Sequence, residues 1–527
     1  MKKYLIFLIF VSFTVLWPFF KKGFFQSHDG EWMIIRFTAF HQTLAAGQFP
    51  VRFVDRLNNN YGYPVLNFLY PLPFYTSEIW KVLGFGYVDS IKLTFIASTM
   101  LSVIAMFWAL SQHFTKQAAL VGSIVYLYVP YRFVDIYVRG SIGENLAFAI
   151  LPLILGSILK LKKAKRIFWP ILSLAIASLI LAHNVFAALF IPLFLVFALF
   201  QLKSRIKSAV AFSLGLGIAG FFWLPAINDL KFVRLSQIKV SHVSEHLVPV
   251  RDLLIPRWGY GPSPQSQDGL SIQIGLVTIF IIAAMFYFLI KNRNKSKTLW
   301  SLIILIIASS FLMTKLSLSL WQKLPYIDII QFPWRLMSVI VFSTSLLAAQ
   351  LVTLTKNNKL LAYLIILASF LTTIAYTKPA KFVDRPDSYY ATNEDTTTAQ
   401  NEYMPLWVKV LPKERANQKI EVKNAVLSQI NIKSAKYEAT INSPEDTDVK
   451  INAIYFPGWQ AKIDDRKVLI DYQNPLGLMS FQLPRGDHKV IIEYKNSGIH
   501  LASEIVSVLA LILTGSYFIY EWRKQNS

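Results

Sequence analysis

Four residues, "HDGE", set His28, Asp29 and Glu31 directly behind an apolar N-terminal run, and Arg36 follows five positions later. A carboxylate at an apolar boundary, its pKa raised by partial burial, can serve as a general base that takes the proton of a hydroxyl. The same residues suit a helix start, with Asp29 as N-cap and Glu31 in the first turn. The two roles are compatible. A second set of residues offers cationic chemistry: Arg36, Arg52, Arg56, Arg139, Arg257 and Arg335 fall near one face of the apolar runs, where charge distribution along the chain does not call for them. The planar guanidinium matches phosphate oxygens two at a time. Some of these arginines are expected to be ordinary interfacial or salt-bridging groups, with Asp55 and Asp135 as partners. Arg139 in "VRGSIGE" and Arg335 in "FPWR" abut the entrances of apolar runs and are the first choices for a phosphate.

Other residues admit two readings each. Glu144 begins an apolar run, where it pairs with Arg139 or contacts an acceptor or metal. His183 in "LAHN" is a turn residue or a phosphate contact. Asp268 and Gln273 in "DGLSIQ" suit sugar contacts, with a helix cap at Asp268 as the plain alternative. His242, Glu245 and His246 in "HVSEH" lack the order of a zinc-protease motif. Oxygen ligands from Asp29, Glu31 and Glu144, with His28 beside them, are compatible with Mg2+ or Mn2+, but nothing in the pattern requires an ion.

The elements that carry these residues are mostly apolar. Of 527 residues, 54% are hydrophobic and 16% charged, and the mean hydropathy of +0.43 leaves too little polar surface for a soluble globule of this size. The chain therefore reads as an α-helical polytopic membrane protein. The formal charge of +23 is concentrated in short clusters such as "KLKKAKR" (160–166), "KSRIK" (203–207) and "KNRNKSK" (291–297). Alternating with apolar runs, such clusters mark cytoplasmic loops and argue against nucleic-acid binding. There is no cysteine, hence no disulfide and no thiolate nucleophile.

Runs long enough to cross a bilayer lie near 4–20, 91–110, 118–134, 145–160, 167–183, 185–201, 209–227, 271–290, 299–314, 336–354, 360–376 and 500–520. About twelve spans put both termini and every basic cluster on the cytoplasmic side. The first run lacks a small-x-small cleavage site before Lys21 and reads as an uncleaved span. The expected organisation is 1–376 as a transmembrane domain with a long outer loop at 21–90, 377–499 as an extracytoplasmic domain, and 500–527 as the last helix and cytoplasmic tail.

In the first loop, "EWMIIRFTAFHQTLAAGQFP" spaces apolar residues at helical intervals up to Gly47 and Pro50, which predicts an amphipathic helix on the membrane surface. The following "VRFVDRLNNNYGYPVLNFLYPLPFY" suits a fixed, irregular backbone around a cavity, with Arg52, Tyr61 and Tyr63 as candidate contacts. Between 377 and 499 the period changes to strand-like alternation between turn formers, including Pro457-Gly458 and Arg485-Gly486, which predicts a small antiparallel β-sandwich. Asp464-Asp465 fall in a predicted hairpin turn.

In chain order, "HDGEW", "YGYPVLNFLYPLPFY", "RGSIGENLAFAILPL", "LAHN", "FFWLPA", "DGLSIQIGL", "QFPWR" and "YFPGWQAKID" resemble the bacterial YfhO-like membrane proteins and those named "6-pyruvoyl-tetrahydropterin synthase-related, membrane". The second name is not evidence of pterin chemistry. These families are similar to the GT-C superfamily. The resemblance implies an inverting glycosyltransferase that takes a sugar from a polyprenyl-phosphate donor and works on the outer face of the cytoplasmic membrane. It also implies an acid in the first outer loop as base, here Asp29, with Glu31 as second carboxylate. The donor phosphate would fall to Arg335, Arg139, Arg52 and His183. The acceptor would be an extracytoplasmic glycan, lipid or protein, and the candidate substrate-binding residues are His28, Arg36, Tyr61, Tyr63, Glu144, Asp268 and Gln273. A flippase of lipid-linked glycans and a non-catalytic envelope assembly factor are the rival readings; a flippase should carry ionisable groups deep in several spans.

Overall fold

The computed structural model describes residues 2–239, 241–293, 296–324 and 330–526, so positions 294 and 295 of the basic cluster at 291–297 lie outside the described residues. Apolar sequence without regular breaks gives long helices. They are α1 (Lys2–Leu16), α2 (Gly30–Ala45), α3 (Tyr87–Leu110), α4 (Lys116–Leu127), α5 (Ile142–Lys162), α6 (Phe168–Ala182), α7 (Asn184–Gln201), α8 (Arg205–Ile218), α9 (Gly220–Asp229), α10 (Leu276–Lys291), α11 (Lys297–Leu312), α12 (Met337–Leu354), α13 (Lys359–Thr373) and α14 (Gly498–Asn526).

Among the described residues, 7 helices are long and apolar enough to cross a membrane, or 9 if two bent pairs each count as one span. Three further apolar helices, α6, α10 and α11, are shorter. The bends have local causes. Pro130 separates α4 from the turn Pro130–Arg139 at 50°, and Gly220 starts α9 at 68° to α8 after a glycine-rich stretch. The run expected from 118 to 134 is thus a broken helix whose second part ends at Arg139. The run expected from 271 begins only at Leu276, because Gly275 turns the chain at φ 92°.

Burial sorts the helices into an inner and an outer set. The apolar windows of α5 and of the segment Pro333–Leu354 are 89% and 83% buried, whereas those of α13 and α14 are 22% buried and present their apolar faces outward. Small residues allow the inner helices to approach. A Cβ on Gly122 of α4 would stand 2.7 Å from the Ser345 carbonyl of α12, and the Ser345 hydroxyl donates to the Gly122 carbonyl at 2.8 Å.

Residues 420–494 of the polar region form two antiparallel sheets, and a separate two-stranded pairing joins residues 24–25 to 382–383. The strands are β1 (Phe24–Phe25), β2 (Phe382–Val383), β3 (Ile420–Val422), β4 (Val426–Lys433), β5 (Lys436–Ser443), β6 (Thr447–Ile454), β7 (Trp459–Ile463), β8 (Arg466–Val468), β9 (Leu478–Leu483) and β10 (Gly486–Tyr494). Five strands run in the order β4-β5-β10-β7-β8 and three in the order β3-β6-β9. Alternate residues of β5, including Tyr437, Ala439 and Ile441, share one buried cluster with Val449 and Ile451 of β6 and Phe481 of β9. Asp464 and Asp465 turn β7 into β8, both at positive φ, as the hairpin reading expected.

Two expectations about the outer regions change. First, α2 is an enclosed helix and not an amphipathic one with a wet face. Met33 through Phe40 are all buried, which no helix with one wet face can show, and the segment 387–398 covers it. Second, the strands of the two large sheets begin only at Ile420, and the segment 377–419 bonds both ways: β2 pairs with β1 and the Ala416 amide donates to the Asn59 carbonyl, while the Lys409 and Val410 amides donate to the Pro475 carbonyl. Phe53 of the first loop sits inside the sheet core, 5.3 Å from Trp459 between ring centroids.

Candidate functional site

The first loop is pinned to the end of the bent segment Pro130–Arg139 by its backbone. The His28 amide donates to the Val138 carbonyl at 3.0 Å, and the Asp29 amide to the Arg139 carbonyl at 2.8 Å. Close approach needs Gly140, which stands at φ 63°. A Cβ there would lie 2.4 Å from Ser27 Oγ and 3.0 Å from the Gly30 nitrogen. Asp29 occupies the N-cap position of α2, yet its side chain makes no cap hydrogen bond; Ser27 Oγ accepts from the Gly30 amide instead, at 3.1 Å. The Asp29 carboxylate remains 31% exposed and 3.9 Å from Arg139.

Behind Asp29 lies a buried ion cluster. Glu144 enters α5 with no exposed side-chain area, and its Oε1 meets Arg139 Nη1 at 2.5 Å, Arg335 Nε at 3.1 Å and His183 Nε2 at 3.6 Å. Its Oε2 accepts from the Tyr131 hydroxyl at 2.8 Å. Asp135, one turn before Arg139, takes a second contact from Arg139 Nη1 at 3.1 Å. Two guanidinium groups therefore share one carboxylate, an arrangement that desolvation tolerates only with such multiple pairing. The pair expected between Glu144 and Arg139 is present, and Arg335 joins it from 191 residues away.

The "FPWR" stretch builds the aromatic shelf beneath these cations. Phe332 and Trp334 stack at 4.9 Å, Arg139 lies over Trp334 at 4.3 Å, and Arg335 over Phe332 at 5.0 Å. His183 caps α7, its Nδ1 accepting from the Phe186 amide at 3.3 Å, which leaves Nε2 to carry the proton toward Glu144. Tyr70 from the first loop covers this imidazole at 4.8 Å.

A second wall comes from the segment before α10. His28 Nε2 donates to the Tyr260 carbonyl at 2.9 Å, and Asp268 accepts from the Tyr260 amide at 3.0 Å. Asp268 thus orients His28 through Tyr260 and does not cap α10. Burial is the main reason that the His28 imidazole titrates below its ordinary range, with Arg139 adding to it. Trp258 stacks on Tyr376 at 5.0 Å, and Gln273 donates to the Tyr376 hydroxyl at 2.9 Å. Gln273 and Tyr376 help line a cavity of about 110 Å3, together with Val125, Val129, Pro130, Val277 and Thr372 among others.

The remaining candidates lie elsewhere. Glu31 faces outward from Asp29 and meets Arg385 Nε at 3.6 Å and the Tyr390 hydroxyl at 3.3 Å. Arg36 is buried on Thr397, with Nε 2.9 Å from its hydroxyl. Arg52 pairs with Glu504 of α14 at 3.1 Å and donates to the Phe221 carbonyl, so it ties the first loop to the last helix and stands apart from the Glu144 cluster. Asp55 pairs with Lys419, not with an arginine. The Tyr63 hydroxyl is buried against Thr398 and the Tyr403 amide, and Tyr61 receives the Ile454 amide on its carbonyl. Among the described residues no group of three His, Asp or Glu could hold a metal ion. Glu144 and Asp29 face Arg139 and Glu31 faces Arg385, so the three carboxylates do not fit a divalent ion as arranged. Tyr131, Trp334 and Tyr260 were not legible as site residues, since their partners lie on other elements.

Residues 66–379, more than half of the chain, match the family described as 6-pyruvoyl-tetrahydropterin synthase related domain, membrane protein. The chain belongs to that family. The matched range of this family contains Arg139, Glu144, His183 and Arg335 and stops short of Asp29. An uncharacterized protein of Lactococcus lactis subsp. cremoris (strain MG1363) is 23% identical over 246 residues, which are 44% of this chain and 40% of that protein. The chain spans less than half of that relative. The cryo-EM structure of the arabinofuranosyltransferase AftD from Mycobacteria is similar at TM-score 0.48 and 14% identity, over 74% of this chain and 28% of that one. The oligosaccharyltransferase of Archaeoglobus fulgidus in its apo form is similar at TM-score 0.43 and 12% identity, over 77% of this chain and 61% of that one.

Proposed function

We propose that this protein is a membrane glycosyltransferase of GT-C type that moves a sugar from a polyprenyl-phosphate donor to a hydroxyl of an extracytoplasmic acceptor. One observation carries the reading: a carboxylate that is 31% exposed and free of capping duty, 3.9 Å from a guanidinium held by a fully buried acid. Of the nearby acids, Glu144 is closed to solvent and Glu31 faces Arg385, so Asp29 is the base. It takes the proton of the acceptor hydroxyl as the oxygen attacks the anomeric carbon. The bond from that carbon to the phosphate oxygen breaks, and the lipid phosphate leaves with the electron pair. Displacement from the opposite side inverts the anomeric centre.

Arg139 and Arg335 meet the negative charge that grows on the departing phosphate, in a site where low local polarity strengthens the contact. His28, neutral through burial, borders the acceptor side. No step is assigned to Mg2+ or Mn2+. In this reading the two bent pairs and three short apolar helices complete twelve spans, both termini are cytoplasmic, the site opens on the outer face of the cytoplasmic membrane, and the two sheets form a β-sandwich beside it.

The test is incubation of purified protein with a panel of polyprenyl-phosphate sugars and candidate acceptors, wild type beside Asp29→Asn. Release of polyprenyl phosphate by the wild type, lost in the variant, is expected. A fully active variant removes Asp29 as base, and lipid-linked glycan that stays bound and unconsumed in both proteins points to a flippase.

A further inference from the structure

A cavity of about 230 Å3 lies between the C-terminal half of α2 and the end of β4, and a second of about 250 Å3 adjoins it between residues 417–420 and β4. They share Asn60, Lys419 and Ile432 and so form one trough. Its charges do not cancel. Lys419 is paired with Asp55 at 2.9 Å, but Arg56 meets only neutral groups: the carbonyls of Ile35 and Tyr390 and the Thr38 hydroxyl. Burial lowers Arg56 to about 10, which leaves it charged at neutral pH. Its Nε is buried and, among the described residues, has no hydrogen-bond partner. Lys433 at the rim is exposed and in no ion pair among the described residues. Glu394 acts on Arg56 at longer range but is itself paired with Arg415 at 2.8 Å, so the trough holds Arg56 and Lys433 in excess of its acids, together with an unanswered donor.

The walls supply the other features of a polymer site. Asn60 lines the trough at the end of a run, Asn58 to Asn60, that stands at left-handed φ of 59°, 54° and 66°, with Asn59 held by the Glu394 carbonyl and the Ala416 amide. Such strain persists where the surroundings over-determine it, and it concentrates at binding sites. On the other wall Ile430 and Ile432 of the edge strand β4 are 55% and 41% exposed, an apolar flank against which sugar C–H faces can pack. Gln42 lines the trough about 20 Å along α2 from Asp29 at ~1.5 Å per residue.

We propose that this trough binds an anionic glycan chain, one whose sugars carry carboxylates or phosphodiesters, and holds the distal part of the acceptor while its end reaches Asp29. The proposal rests on the transferase reading for the word acceptor alone. The binding itself stands on the trough.

Binding is measured by calorimetry on the full-length Asp29→Asn protein in detergent, so that no turnover interferes. The probes are hexagalacturonate, a poly(glycerol phosphate) oligomer of similar length, and neutral maltohexaose. Saturable binding of at least one anionic probe, weakening with salt, is expected, and the two anionic probes separate the carboxylate from the phosphodiester source. Lys433→Glu, an exposed change, should weaken it about tenfold, and Ser434→Trp should block the trough by bulk. Absence of binding by both anionic probes, equal binding of maltohexaose, or binding unaffected by both substitutions would each overturn the proposal. If the wild type transfers no sugar from any donor but the anionic probe binds, the transferase reading falls and the trough stands. Transfer by the wild type with no binding of either anionic probe overturns the trough and leaves the transferase reading in place.

Discussion

The Asp29 carboxylate makes no cap contact because a neighbour has taken over that structural role, which is what the proposed base requires. Ser27 caps α2, and the aspartate carboxylate turns to Arg139. Asp29→Asn should therefore lower transfer by about 10²–10⁴-fold, the usual contribution of a positioned general base, with abundance and melting temperature close to wild type. Polyprenyl-phosphate release against protein level checks this. Glu144 carries the opposite expectation. Glu144→Gln would strand Arg139 and Arg335 in a buried site without their shared carboxylate, a loss of about 3–5 kcal/mol. Fluorescence-detected thermal unfolding should show a clear drop, and an unchanged midpoint would refute the structural role. His28 adds a pH dependence. Its folded-state pKa lies below 6.5, mainly through burial, so the folded protein binds the proton less well than the unfolded chain. Stability from this group is full above pH 6.5 and is lost as pH falls from there through the folded pKa. Wild type should lose thermal stability on acidification through that window more steeply than His28→Asn; equal slopes would refute it.

At the scale of elements, the site exists because a loop and a bent helix share a backbone seam. The π-helical turn Val134–Arg139 ends at Gly140, whose left-handed conformation lets Ser27 and Gly30 come within contact. Gly140→Ala costs about 1–2 kcal/mol from the backbone conformation alone and brings a Cβ into Ser27 Oγ. It should reduce transfer at least as far as Asp29→Asn does, while a conservative change at the exposed Lys22 should not; measured activity at matched protein level decides. The pattern of the first loop was legible as a helix ending near Gly47, and α2 ends at Ala45. That the helix is enclosed was not legible, because its cover, residues 387–398, comes from some 350 positions downstream.

For the whole molecule, the sheets and the first loop share a hydrophobic core. Phe53, fully buried, lies among Trp459 and Tyr494, with ring centroids at 5.3 and 5.5 Å. Phe53→Ala should cost about 3–5 kcal/mol in that core and loosen the sheets from the loop, seen as faster proteolysis between residues 377 and 499. The last helix is fastened to the same loop. Asp229 of α9 accepts from His500 at 3.0 Å and from Asn67 at 2.9 Å, and Arg52 reaches Glu504. Arg52, one of the arginines that the sequence offered for a phosphate, thus ties the first loop to the last helix.

Sequence alone determined the membrane class, the helical runs, the strand-rich insertion before the last helix and the acid behind the first run, because hydropathy, period and turn chemistry are local properties of neighbouring residues. It also offered Arg139, His183 and Arg335, with Arg52, for the donor phosphate and Glu144 for substrate contact. Only the tertiary structure decided that Arg139, His183 and Arg335 meet around the Glu144 carboxylate, that Asp29 joins them while Glu31 does not, and that Arg36, Arg52 and Tyr63 serve packing elsewhere. The reason is physical: a charge or hydroxyl carries no record in its own neighbourhood of which distant group will compensate it, and that partner is fixed only when helices pack.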